Sequence, residues 1–180
     1  MKEIDYNKKL IKWVKAHYWD SLEKDKNLIL RHLRTFVGDG AVYNTDATEQ
    51  TFFIPGPLPG LNEIIAAGKK IIPWLSKGKR RVYELTQLKE RWDTRVVHEV
   101  MFHKIKPMAA VDVKLVWIEP NRRRDKDNVM AGKKFILDGL VKAGVLPNDG
   151  WKQIGSFTEN VILGDRAGVI VVLRERENIA

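Results

Sequence analysis

The sequence predicts an α/β (α+β) fold: a small mixed β-sheet covered by helices, in the order β-α-β-α-β-β, behind an N-terminal helical extension. Three observations carry this. AAVDVKLVWIEP at 109–120 alternates apolar and polar residues, as a half-buried strand does. DNVMAGKKFILDGLVKAG at 127–144 has apolar residues on one helical side, Asp127 or Asn128 to cap it and Gly144 to close it. SFTENVIL and GVIVVLRE then read as a final pair of strands around GDRAG.

Taken in order, residues 4–37 are helical. Tyr6, Leu10, Trp13, Val14, His17, Tyr18 and Leu22 recur at three-to-four residue spacing; LEKDKN interrupts the pattern and LILRHLRTFV resumes it. GDG at 38–40 ends the run, and AVYNTDATEQ is a polar linker. Residues 1–48 are therefore expected as a helical extension and 49–180 as the main domain. TFFIPG at 51–56 is a short strand, followed by the rigid loop PGPLPGLNE, whose Asn62 suits a helix cap. Helix dominates from 61 to 104, broken around IIPWLSKGKRR and resumed in LKERWDTRVVHEVMFHK.

Composition narrows the function. The chain of 180 residues is 44% hydrophobic and 31% charged, which is globular rather than disordered. It has no cysteine, which removes thiol chemistry, cysteine-ligated zinc and disulfides. No signal-peptide core and no membrane-spanning run is seen, so a cytoplasmic protein is expected. The net charge of +9 points to a polyanionic partner, nucleic acid above all.

The stretch RRRDKDN at 122–128 sets three arginines against two carboxylates. In an extended segment Asp125 and Asp127 would face one point, which suits a hard cation such as magnesium. Charges favouring the N-terminus of the following helix are the plainer explanation. Asp149 is a third candidate carboxylate if the GVLPND loop turns the chain back; an Asn-Asp-Gly turn explains it equally. Arg122, Arg123 and Arg124 can fork onto phosphate. Lys133 or Lys134 can stabilise charge developing on a scissile phosphate, although Lys134 and Asp138 can also simply pair on the helix. Lys69, Lys70 and KGKRR at 77–81 form a second basic stretch. Carboxylates for metal, metal for water and cations for phosphate together suit phosphodiester hydrolysis. His17, His32, His98 and His103 lack H-E-x-x-H spacing, and no P-loop, G-x-S-x-G or G-x-G-x-x-G occurs.

PNRRRDKDN at 120–128, KKFILDGLVKAGVLPNDGWKQI at 133–154 and the earlier IPGPLPGLNE resemble the RusA-type Holliday junction resolvases, in particular those of phages and prophages. The resemblance covers roughly residues 51–175. It implies a homodimeric endonuclease of a bacterial or phage-infected cell that cuts four-way DNA junctions with Mg2+, or Mn2+ in its place, and needs no small-molecule cofactor. It implies Asp125, Asp127 and Asp149 as the metal carboxylates. It also implies an essential lysine. Counting from the D-x-D-N motif falls on Ala131, whereas counting back from DGL selects Lys134, with Lys133 the alternative. The expected DNA-binding set is Arg122, Arg123, Arg124, Asn128, Lys133, Asn62, Lys69 and Lys70. Two other readings stay open: a non-catalytic protein that binds branched DNA, and a flap or branched-DNA nuclease without junction preference.

Overall fold

The computed structural model describes residues 48–75 and 83–176. The helices expected within 4–37, the linker up to residue 47 and the basic stretch at 77–81 lie outside the described residues. Strand β1 (Glu49–Pro55) is followed by helix α1 (Leu61–Lys69), a 3-10 turn (Pro73–Leu75) and helix α2 (Glu84–Phe102). Strand β2 (Val111–Glu119), helices α3 (Lys126–Met130) and α4 (Lys133–Lys142), strand β3 (Ile154–Leu163) and strand β4 (Gly168–Glu175) complete the domain. The order expected from the sequence is observed, and the fold is α+β with one mixed four-stranded sheet. Among the described residues no helix is long and apolar enough to cross a membrane.

Two expectations are corrected. The last two strands exist but do not pair with each other: the sheet order is β1-β4-β2-β3. β4 is antiparallel to both β1 and β2, and β3 runs parallel to β2 on its far side. The composition explains the placement. GVIVVL is apolar on both faces and takes a central position, whereas the more polar β3 is exposed over most of its length and takes the edge. The second correction concerns 127–144, which is two helices broken at Ala131–Gly132. A side chain at Gly132 would lie 2.9 Å from Leu58 Cβ and 3.3 Å from the Pro59 carbonyl, so the proline loop lies directly against the break.

One sheet face makes the main core. Phe52 and Ile54 of β1, Val113, Leu115 and Trp117 of β2, and Val169, Val171 and Leu173 of β4 alternate inward. They meet Val96 and Val100 of α2 and Ile136 and Leu140 of α4. A Cβ at Gly139 would lie 2.4 Å from Val96 Cβ, so α4 touches α2 at a position where only glycine fits. Gly139→Ala is accordingly expected to cost about 1–3 kcal/mol through overpacking, against a helix-propensity gain of about 1 kcal/mol. A urea titration should show the loss, and Val96→Ala in the same chain should recover part of it.

α2 also buries Asp93, His98 and Glu99. Glu99, fully buried, has Arg95 Nε at 3.2 Å as an ion-pair neighbour and His98 Nδ1 at 3.3 Å beside it. Burial lowers the pKa of His103, only partly countered by Glu99. The folded protein therefore resists a proton that the unfolded chain accepts near the usual value of about 6.5. Stability is expected to fall as pH drops from that value toward the lower folded one. His103→Gln should flatten this limb in urea midpoints taken across the range. Asp93 contributes with the opposite sign. Burial raises its carboxyl above the ordinary value despite Lys142, so its charged form costs stability that is regained as pH falls through the raised value.

Candidate active site at the carboxyl end of the sheet

β1, β2 and β3 all end on one side of the sheet, where β4 begins: Pro55 and Ile118 both face Gly168, and Leu163 faces Glu119. Three loops meet there, at 56–60, 120–125 and 164–167. The last crosses the end of β2, with Gly164 N donating to the Glu119 carbonyl at 3.0 Å and Gly56 N to the Ala167 carbonyl at 2.9 Å. Sites in open α/β sheets lie at this end of their strands.

The RRRDKDN stretch occupies this edge. Asp125 is the N-cap residue of α3 in extended conformation, and Asp127 sits in the first turn. Both are exposed. They stand at the start of a short helix rather than in an extended run, so the strand alternation expected to aim both at one point does not apply to them. Asp125 makes no capping hydrogen bond through its side chain, so its carboxylate is not consumed by the cap that also explained it. Arg122 and Arg123 are exposed beside it, in a turn held by Arg123 N donating to Asn121 Oδ1 at 3.0 Å.

Arg124, expected to bind DNA with its two neighbours, is engaged within the chain. Its Nε and Nη2 fork onto Glu119 at 3.1 and 2.5 Å, and Nη1 donates to the Leu58 carbonyl at 2.8 Å. Its guanidinium ties the end of β2 to the proline loop, so it positions the site. Asn128 has a similar task. Its Oδ1 accepts from the backbone N–H of Asn62 at 3.1 Å, satisfying a donor at the start of α1. Glu63 reaches back to Gly60 N at 2.7 Å. A side chain at Gly60 would meet Asn128 Oδ1 at 2.6 Å, so glycine is what allows the two helix starts to touch. Asn62 is thus brought beside the Asp127 turn, through its backbone rather than as a cap of its own helix.

The two lysines diverge. Lys133 reaches toward β3, where its Nζ donates to Glu159 Oε2 at 2.7 Å and lies 5.0 Å from the Phe157 ring centroid. Glu159 Oε1 also accepts from Trp117 Nε1 at 3.2 Å. Lys134 is more exposed and pairs with Asp138 at 3.0 Å, on the side where Lys89 of α2 also approaches Asp138. The simple helical pair is therefore what the structure contains for Lys134. Lys69 and Lys70 lie at the far end of α1, and Lys70 pairs with Glu84 at 3.2 Å.

Asp149 is set apart from the other two aspartates. It is exposed in the turn before β3, where Asn148 Oδ1 accepts its backbone N–H at 2.9 Å. That turn belongs to the opposite end of the sheet, because Gln153 bonds to Val111 at the start of β2. β2 spans nine residues, about 27 Å at ~3.3 Å per residue. The parallel crossover through α3 and α4 is the cause: it carries the chain back down the sheet before β3 starts up. Among the described residues no group of three or more His, Asp or Glu side chains could hold a metal ion. Two exposed carboxylates nevertheless fit magnesium, which takes one or two from protein and completes its shell with water and phosphate oxygens.

Sequence reasoning missed Glu119, Glu159 and the roles of Gly60 and Gly132. Glu119 had a signal, an acid at the end of an apolar strand run just before Pro120. It also missed a cavity of about 480 Å3 beside the proline loop, lined by Pro55, Gly56, Arg91, Trp92, Arg95 and His98. No protein-family model matches the chain, and no curated protein matches it.

Proposed function

We propose that the protein is a metal-dependent endodeoxyribonuclease that cuts branched DNA, with the four-way junction as its substrate. The observation that carries this reading is Asp125 and Asp127, exposed at the carboxyl end of the sheet beside Arg122 and Arg123, on a chain of net charge +9. The resemblance of the RRRDKDN region and the following helix to RusA-type resolvases supports the same reading. In it, Asp125 and Asp127 would hold Mg2+ or Mn2+. The metal, when bound, supplies an activated water and a Lewis acid for the phosphodiester. The chain's own residues do the rest. Arg122 and Arg123 bind backbone phosphates, Arg124 and Asn128 hold the two loops in register, and Lys133 is the lysine nearer the strand side of the helix pair.

The separation of Asp149 bears on the expected homodimer. Within one chain it cannot join the pair, so in this reading a second copy brings it. The same separation favours the second reading, a branched-DNA-binding protein whose aspartates merely start a helix. Titration calorimetry with MnCl2 separates the two. Nuclease function requires metal binding, alone or with a synthetic junction present, and cleavage of the junction in preference to flap and plain duplex. Junction binding without metal uptake or cleavage would leave only the second reading. Binding in either case should weaken steeply with added salt.

A further inference from the structure

We propose that the cavity beside the proline loop binds a phosphorylated nucleoside, with its phosphate on Arg91 and Arg95 and its base against Trp92. The inference does not rest on the nuclease reading, since neither Asp125 nor Asp127 lines this cavity.

α2 supplies one wall. Arg91, Arg95 and His98 are spaced four and three residues apart, so they stand on one side of the helix, with Thr94 beside them. That side runs inward from solvent: Arg91 is exposed, Arg95 is half-buried and His98 is buried. The end of β1 supplies the other wall. Gly56 there has a φ of +96°, which favours glycine, and a Cβ added to it would lie 3.8 Å from Trp92 Cη2. Bare backbone at Gly56, the Pro55 ring and the Trp92 indole thus make an apolar surface facing the arginines. The cavity measures about 480 Å3, within the range of about 300–1,000 Å3 usual for sites that enclose a small molecule.

Charge selects an anion. Of the described lining residues two are arginines and none is acidic. Among the described residues nothing pairs with Arg91, and Arg95 meets Glu99 through Nε alone, at 3.2 Å. Its two terminal nitrogens are left for a ligand. Two guanidinium forks one helical turn apart suit the several oxygens of a phosphate better than a single carboxylate. A phosphate by itself would leave the apolar side of the cavity unused. A base fills it, because bases of any sequence stack on aromatic side chains and arginine adds a cation–π contact.

The position couples the cavity to the carboxyl end of the sheet. Gly56 N donates to the Ala167 carbonyl at 2.9 Å, and two residues further on the Leu58 carbonyl accepts from Arg124 at 2.8 Å. An occupant braces the start of the same loop from the α2 side. The phosphorylated nucleoside can be a free nucleotide or one unpaired nucleotide of a DNA strand. The chemistry that recognises them is the same, and affinity separates them.

The full chain is titrated calorimetrically with dAMP, deoxyadenosine, inorganic phosphate and a 5′-phosphorylated deoxyadenosine trinucleotide. No divalent metal is present, so Asp125 and Asp127 cannot hold phosphate through one. Arg91→Gln removes an exposed charge, and Thr94→Phe fills the cavity while keeping both arginines; circular dichroism confirms that each is folded. The expected result is one equivalent of dAMP or of the trinucleotide per chain, with a dissociation constant below about 1 mM. Phosphate and deoxyadenosine should each bind at least tenfold more weakly. Both variants should weaken binding at least tenfold, and Arg91→Lys should recover part of the loss. If Thr94→Phe does not fold, the Arg91 pair carries the test. A trinucleotide at least tenfold tighter than dAMP assigns the site to a DNA strand, and a smaller difference assigns it to free nucleotides. The proposal is overturned if neither ligand binds, if phosphate alone binds as well, or if Arg91→Gln leaves the affinity unchanged.

Discussion

Asp127→Asn protein is expected to cut a synthetic four-way junction at least a hundredfold more slowly than wild type in magnesium, while remaining folded and bound to the junction. The exposed carboxylate stands at the first turn of α3, in a segment held by Arg124 and Asn128 rather than by Asp127 itself. Replacing one oxygen by an amide keeps the shape and removes the charge that would hold the metal. Affinity for DNA should rise slightly, because a negative group is removed from beside phosphate. The same loss is expected for Asp125→Asn. Single-turnover cleavage and a gel-shift titration on the same preparations give the two numbers. Undiminished cleavage by Asp127→Asn would remove the site from consideration.

Arg124→Ala should have the largest effect on stability, about 2–4 kcal/mol, somewhat below the about 3–5 kcal/mol for breaking a fully buried ion pair because the Arg124 side chain is partly exposed. Glu119 is buried, and its two oxygens are held by the Arg124 fork. Without the guanidinium a carboxylate is stranded at the end of β2, and the Leu58 carbonyl loses a donor. The double substitution Arg124→Leu/Glu119→Leu should recover much of the loss, since neither charge is then left alone. Equilibrium urea unfolding reads both. A cost under about 0.5 kcal/mol for Arg124→Ala, the level of an exposed pair, would show that the clamp does not hold the loops. If it does, Arg124→Ala should also slow cleavage under the proposed function, through the loops it holds.

Much of this architecture is legible in the sequence because it is written in local periodicity. β1, β2, α1 and α2 follow from alternation, helical spacing and the Pro-Gly boundaries around them. What local pattern does not carry is which strands become neighbours. SFTENVIL and GVIVVLRE look like a hairpin because four residues separate them, yet β2 lies between them. The clue was compositional: one strand is apolar on both faces, the other is not. The break at Gly132 was hidden for another reason. It answers to Leu58 and Pro59, which lie far away in the chain, and a lone glycine in a helical pattern does not announce that approach. The candidate site divides in the same way. The motif that marks Asp125, Asp127 and Arg122–Arg124 is contiguous, whereas the task of Arg124, the divergence of the two lysines and the distance to Asp149 are set by the crossover between β2 and β3.

The sheet order has a consequence for how the chain comes to be folded at all. Among the described strands β4 is the last to be made, yet it occupies the middle of the sheet and is the one described partner of β1. The pair Glu49 and Arg174 closes a loop of 125 residues. Until β4 has been made, β1 lacks the strand it pairs with here, and of the described strands β2 has β3 alone beside it. Such late, long-range closure folds slowly and leaves unpaired edges exposed meanwhile. A nascent chain of this topology gains most from being kept apart from its siblings until β4 has emerged.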